Sequence, residues 1–372
     1  MISRPIAYAL GAAPPYTRDD CDHSPLVVFY ELTRACDLLC LHCRACAQTD
    51  SDPHELSPIE SRALIDQIAG FPRRPLLVLT GGDPLKRPDI YDLVRYATAA
   101  GLQVAVTPSA TPLVTPAALS RLQRAGMKRL AISLDGADPP THDGQRGVAG
   151  IFARTLDILR DARELGIPTQ VNTTLTPENI DQIDVLADLL ATLGVVLWSV
   201  FYIVPVGRAT ESRRLDVEQY ERSFAQLANQ MECQPFAIKT TEAPHFRRFL
   251  LEARRRKGES TANFGSKMSP SGQAPMGIND GKGVMFVSHV GLIHPSGFMP
   301  IVCGMFRLAN VVDVYQRSAI FQGLRDSSRL EGKCGRCEYR KICGGSRARA
   351  YAVSGNPFAE EPDCVYVPGT PK

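Results

Sequence analysis

From residue 26 onward the chain alternates apolar runs of strand length with longer stretches of helical pattern, and this alternation constrains the fold more than any other feature. Strands are predicted at 26–32, 76–80, 102–107, 129–134, 168–174 and 196–204, and helices near 58–70, 88–100, 115–125, 150–165 and 178–193. Pro58, Pro88, Pro116 and Pro177 stand where first-turn prolines belong, and Ser57, Thr115 and Thr176 offer hydroxyl caps before three of them. Gly101, Gly126, Gly166 and Gly194 stand where those helices should stop. Strands separated by helices pair in parallel, since each helical crossover returns the chain to the same end of the sheet. Six units in place of eight give an α/β fold of the open, partial-barrel kind. Its chemistry should gather at the carboxyl ends of the strands.

The eleven cysteines are distributed unevenly. Cys36, Cys40 and Cys43 form a C-x3-C-x2-C pattern directly after the apolar run Val27-Val28-Phe29-Tyr30 and the pair Thr33-Arg34. Three thiolates on a loop leaving a strand suit a cubane iron-sulfur cluster whose fourth iron stays open to a small molecule. Structural zinc, the alternative, favours four protein ligands. A disulfide is poorly supported where thiols stay reduced. Cys46 would complete a fourth position, but the open-iron reading leaves it a bystander packed under the loop. At the other end, Cys334, Cys337 and Cys343 stand as C-x2-C-x5-C with Cys364 following, four thiolates and enough to close a second cubane. A zinc knuckle is the alternative there. Cys21, Cys233 and Cys303 are isolated and read as buried small hydrophobes, with Cys303 a possible extra ligand.

The ends of the strands carry the remaining motifs. Leu79-Thr80-Gly81-Gly82-Asp83-Pro84 follows the second strand, and its glycines allow the backbone to approach a ligand. Thr107-Pro-Ser109-Ala-Thr111, Ile132-Ser133-Leu134-Asp135-Gly136, Val171-Asn172-Thr173-Thr174 and Ile203-Val204-Pro205-Val206-Gly207 close the next four strands, with Arg146-Gly147 beyond the fourth. Singly, each is an ordinary turn; in this order on one rim they outline a binding site.

At 372 residues the chain exceeds the usual single domain of about 100–200. We divide it into an N-terminal arm (1–24), the barrel (25–215), a helical connection with a Gly/Ser/Pro-rich linker (216–283) and a small C-terminal α+β domain (284–372). Residues 208–245 read as helical, Arg254-Arg-Arg-Lys257 as a solvated helix end, and 258–283, with Ser269-Pro270-Ser271-Gly272, as a linker or a lid over substrate. Residues 283–297 read as a β-hairpin turning at Gly291. A net charge of +3 gives no electrostatic case for nucleic acid, no stretch is long and apolar enough for a membrane span, and the start lacks a signal-peptide pattern. A cytoplasmic location is the expectation.

The cysteine spacing and the rim motifs together resemble the radical S-adenosylmethionine (radical SAM) enzymes, whose fold is a partial (β/α)6 TIM-like barrel. Cys36, Cys40 and Cys43 match the cluster motif. Gly81-Gly82-Asp83 is similar to the family's Gly-Gly-Glu element, which holds the methionine amine, with Asp in place of Glu. By the same resemblance Ser109, Ser133, Arg146 and Asn172 surround the ribose and methionine carboxylate, and Val204 lies beside the adenine. The tail resembles the SPASM auxiliary-cluster domain, but Ser296 and Ser346 stand where larger members have cysteine, which implies one auxiliary [4Fe-4S] cluster on Cys334, Cys337, Cys343 and Cys364. The implied chemistry is reductive cleavage of SAM to a 5′-deoxyadenosyl radical that abstracts hydrogen from substrate, with electrons from a donor such as flavodoxin or ferredoxin. The stretches Leu197-Trp-Ser-Val-Phe201, Thr240-Thr-Glu-Ala-Pro-His245 and Cys343-Gly-Gly-Ser-Arg-Ala-Arg-Ala-Tyr351 resemble the haem-biosynthesis branch, which modifies tetrapyrrole side chains. Arg208, Arg247, Arg347 or Arg349 could then anchor a tetrapyrrole carboxylate. A maturase of a ribosomally made peptide, or a non-catalytic iron-sulfur redox protein, are the other readings.

Overall fold

The structure, a computed structural model, describes residues 16–261 and 277–369. The first fifteen residues of the N-terminal arm and linker residues 262–276, including Ser269-Pro270-Ser271-Gly272 and any lid they form, lie outside the described residues.

Seven parallel strands, β1 (Val27–Glu31), β2 (Leu76–Thr80), β3 (Gln103–Val106), β4 (Arg129–Ser133), β5 (Thr169–Leu175), β6 (Leu197–Tyr202) and β7 (Ala237–Thr241), lie side by side in chain order. On the far side of β1 the sheet continues through β8 (Val284–Val287), parallel to β1, then β9 (Leu292–His294) and β10 (Gly304–Met305), each antiparallel to its predecessor. The expected hairpin is therefore present, and its first strand is hydrogen-bonded into the barrel sheet. Crossover helices α1 (Pro58–Ala69), α2 (Ile90–Ala99), α3 (Pro116–Ala125), α4 (Pro139–Arg146), α5 (Ile151–Glu164), α6 (Ile183–Leu193), α7 (Val217–Cys233) and α8 (Phe246–Arg256) accompany the parallel strands. The tail carries α9 (Val311–Arg317), α10 (Ala319–Arg325), α11 (Gly332–Arg336) and α12 (Arg347–Ser354).

Local chemistry explains most boundaries. Ser57 accepts from the Glu60 N–H while the Glu60 side chain accepts from the Ser57 N–H, a capping box with Pro58 in the first turn of α1. Thr115 caps α3 in the same way, through the Ala118 N–H. Such a cap is worth about 1 kcal/mol. Thr176 does not cap: its hydroxyl accepts from Gln145 Nε2, and a 3-10 turn at Ile180–Gln182 precedes α6. Pro88 likewise lies just outside α2, which starts after Asp89.

Two elements correct the sequence reading. Residues 208–245 are not helical throughout; after α7 the chain forms β7. Ile238 on one face of β7 joins the core, while Lys239 and Thr241 face the lumen, so the strand has no apolar run to announce it. Helix α4 was also not expected; Asp138 caps it and Gly147, at φ 70°, ends it.

Candidate active site

The loop that follows β1 lies on the carboxyl rim of the barrel and is held there by its neighbours. The Cys36 N–H donates to the Gln48 carbonyl (2.7 Å), and the Gly82 N–H to the Thr33 carbonyl (2.8 Å). A Cβ on Gly82 would collide with the carbonyls of Ala35 and Arg34, and one on Gly207, at φ 66°, with those of Cys43 and Arg44. Only glycine lets the loops after β2 and β6 press this closely on the cysteine loop.

Cys36, Cys40 and Cys43 all line a cavity of about 1300 Å³ that runs down the barrel lumen. The Leu38 N–H points at Cys36 Sγ (3.4 Å), Arg146 Nη1 at Cys40 Sγ (3.7 Å), and the Ala47 N–H at Cys43 Sγ (3.4 Å). Burial pushes the Cys43 thiol up, but the Ala47 N–H and the Arg208 guanidinium outweigh it and hold the group below its ordinary value. Arg208 Nε and Nη2 and Arg146 Nε are buried without hydrogen-bond partners among the described residues. Three thiols ringed by N–H donors and under-used guanidinium groups fit an anionic iron-sulfur cluster. Cys46 is not packed under the loop: it is exposed, in the left-handed region at φ 47°. Cys233 is exposed and Cys303 half-buried, so of the three isolated cysteines only Cys21 is the buried hydrophobe expected.

Gly81, Gly82, Ser109, Ser133, Arg146, Asn172 and Val204 line the same cavity as the three cysteines. Ser109 Oγ donates to the Gly82 carbonyl (2.9 Å) and lies 3.3 Å from Cys36 Sγ. Arg146 Nη2 pairs with Asp135 Oδ2 at 2.5 Å, and His42 Nε2 lies 3.5 Å from the same oxygen. Burial holds His42 down to about 4, hence neutral near pH 7. Asp83 departs from the expectation. Its carboxylate is fully buried, accepting from Thr111 Oγ1 (2.6 Å) and the Leu85 N–H (3.1 Å). The side chain therefore braces the glycine turn, and it is Gly81 and Gly82 that line the cavity.

Sequence reasoning missed a buried network behind this loop. Glu31, at the end of β1, accepts from Arg44 Nη2 (2.9 Å) and contacts His289 Nδ1 (2.8 Å), whose Nε2 lies 3.5 Å from Asp52. Burial would raise the Glu31 carboxyl, but the Arg44 charge and the His289 hydrogen bond dominate and hold it at about 2. Glu31 and His289 lie far apart in the chain, and only the pairing of β1 with β8 brings them together.

Cys334, Cys337, Cys343 and Cys364 line one small pocket at the rear. N–H groups of Glu361, Tyr339 and Gly345 point at the sulfurs of Cys334 (3.3 Å), Cys337 (3.4 Å) and Cys343 (3.4 Å). Among the described residues no three His, Cys, Asp or Glu side chains converge tightly enough for a single ion. The four thiols surround a space. Among the described residues His245, fully buried in its wall, has no hydrogen-bond partner at either ring nitrogen. The N–H groups aimed at the sulfurs, with a neutral His245 able to donate from one ring nitrogen, fit a bound group with acceptor atoms such as a cubane. Ser346 acts as a cap, accepting from the Arg349 N–H and donating to Glu242 Oε2 (2.5 Å), and Ser296 lies buried on the main cavity. Glu242, at φ 59°, also contacts Asp280; burial first and Asp280 second push its carboxyl well up.

Of the four arginines proposed to anchor substrate, three are engaged elsewhere. Arg347 donates to the carbonyls of Gly345, Pro357 and Ala359, Arg349 is buried against Glu361 and Asp363, and Arg208 stands beside Cys43. Arg247 alone of the four lines the cavity, and its Nη1 also donates to the Ile342 carbonyl (3.2 Å).

A partial barrel with a three-thiol rim loop and a separate four-thiol pocket defines an iron-sulfur enzyme in class. Residues 30–190 match the profile of the Radical SAM superfamily. The AdoMet-dependent heme synthase of Methanosarcina barkeri is 37% identical over 347 residues, spanning 93% of this chain and 98% of that protein. A protein of the same name from Nitratidesulfovibrio vulgaris is 37% identical over 369 residues, with 96% and 98% covered. The crystal structure of Streptococcus suis SuiB shares the fold, with a TM-score of 0.71 at 18% identity over 92% of this chain and 78% of that one. The chain belongs to the radical SAM superfamily. It is an enzyme that uses S-adenosylmethionine and a [4Fe-4S] cluster.

Proposed function

We propose that the enzyme makes haem by converting propionate side chains of an iron tetrapyrrole to vinyl groups. The observation that carries this reading is the near-full-length similarity to two proteins named AdoMet-dependent heme synthase. When bound, SAM and the front cluster supply a carbon-centred radical able to take a hydrogen atom from an unreactive carbon. A propionate that loses a hydrogen atom and carbon dioxide becomes a vinyl group and leaves one electron behind. Cys334, Cys337, Cys343 and Cys364 would hold an auxiliary [4Fe-4S] cluster able to accept it.

The chain's own part is to hold and shield. Cys36, Cys40 and Cys43 carry the front cluster, with Gly81, Gly82, Ser109, Ser133, Arg146, Asn172 and Val204 around SAM. Phe29, Val78, Ala105 and Ala131 give the lumen apolar walls that keep water and competing hydrogen donors away. The electron donor would be a flavodoxin or ferredoxin, and the reduced thiols suit a cytoplasmic setting. Among the described residues no helix is long and apolar enough to cross a membrane.

The test is anaerobic turnover of the reduced, reconstituted protein with SAM and iron coproporphyrin III, a tetrapyrrole with four propionates. The expected products are 5′-deoxyadenosine, carbon dioxide and a tetrapyrrole carrying vinyl groups, identified by mass spectrometry. SAM cleavage with no change in the tetrapyrrole would reject the substrate and leave the peptide-maturase reading.

A further inference from the structure

The walls of the main cavity carry eight lysines and arginines, namely Arg44, Arg73, Arg74, Lys128, Arg129, Arg146, Lys239 and Arg247, against two acids, Glu242 and Asp280. Three of these cations are already neutralised: Arg44 by Glu31, Arg73 by Asp20 and Arg146 by Asp135. Leaving Arg129 aside, the two acids do not balance Arg74, Lys128, Lys239 and Arg247, because they contact each other and are bound by Ser346 and by the Ala348 N–H. SAM, with a sulfonium and an ammonium against one carboxylate, does not balance them either, and the charge of the front cluster would be met at the rim by Arg146 and Arg208. An anionic substrate is what the remaining charge suits.

Lys239 is the sharpest case. Alternation along β7 sends Ile238 outward into the core and Lys239 inward to the lumen. The side chain is half-buried, and among the described residues it forms no ion pair and no hydrogen bond. Burial, reinforced by the positive charge of Arg129 on β4, pulls its ammonium down to about 8. A cation left inside a fold without a partner is costly, and an anion in the cavity would relieve that cost. An apolar residue would line the lumen more cheaply.

We propose that Lys239 binds a carboxylate of the substrate within the barrel lumen, one of those that the enzyme leaves intact. The assignment rests on the reading of the substrate as a carboxylate-bearing tetrapyrrole. A lysine on a strand gives a fixed point from which the rest of a rigid macrocycle can be aimed at the rim, two residues further along where β7 ends at Thr241.

The test compares wild type, Lys239→Met and Lys239→Arg as full-length, reconstituted protein with equal iron content. Binding of iron coproporphyrin III and of its tetramethyl ester is followed by the Soret band. Removing one charge-assisted contact should weaken binding of the tetra-acid about 10- to 100-fold in Lys239→Met, with much of it restored in Lys239→Arg. The ester should bind wild type and both variants alike. The KM for SAM, measured by 5′-deoxyadenosine release, should stay at the wild-type value. Equal affinity of wild type and Lys239→Met for the tetra-acid overturns the assignment, as does a raised KM for SAM, which would give the lysine to the methionine carboxylate. If wild type neither binds nor converts the tetrapyrrole, the substrate reading itself falls, and the assignment with it.

Discussion

The two cysteine sites present the same side chain in opposite ways. At the front, three thiols sit on one loop at the mouth of a large cavity, pressed into place by neighbouring rim loops. At the rear, four thiols enclose a small pocket walled by His245, Arg248 and Tyr339. A site that leaves one iron uncovered must still exclude water from the exposed face, so it belongs on the rim of a barrel whose lumen admits SAM and substrate. A closed site needs only a cage, which short helices and loops can build. Reactivity is therefore set by what the protein leaves uncovered.

The contrast breaks most completely if the front thiols are removed. The Cys36/Cys40/Cys43 triple alanine variant should lose SAM cleavage entirely, with iron falling from about eight to about four per chain. Iron falling to zero would mean the rear pocket holds another metal. Cys343→Ala should do the converse: iron again falls by about half, 5′-deoxyadenosine release persists, and vinyl product is lost. Full product formation by that variant would remove any electron-accepting role from the rear pocket. Gly207→Ala places a side chain in the left-handed region against the Cys43 and Arg44 carbonyls. It should destabilise the fold by about 1–3 kcal/mol, seen as a lower melting temperature with preferential loss of front-cluster iron. Cys46→Ala should change neither iron content nor SAM cleavage, because the exposed thiol stands outside the three; loss of cleavage would mean that the ligand set is misassigned.

Much of this could be read before folding. Six strands were legible because their apolar runs are long enough to show against the helices, and the grouping of each cysteine set about one cavity was legible because most of its members stand close together in the chain. β7 was hidden because lumen-facing Lys239 and Thr241 interrupt its apolar pattern. The Gly81-Gly82 turn lines the cavity, yet a motif gives a residue's position and not the direction of its side chain, and that of Asp83 points at Thr111. The Glu31–His289 contact depends on β8 joining the barrel sheet at β1, and no local pattern announces a pairing of that span.

The central claim is that one site is open and the other closed. It is tested most directly by electron paramagnetic resonance of the dithionite-reduced, reconstituted protein with and without SAM. The account predicts two reduced cluster signals, one of which shifts on adding SAM while the other is unchanged, with the shifting signal absent in the Cys36/Cys40/Cys43 variant. If the SAM-sensitive signal instead survives in that variant, or if both signals shift together, the assignment of open and closed sites is wrong.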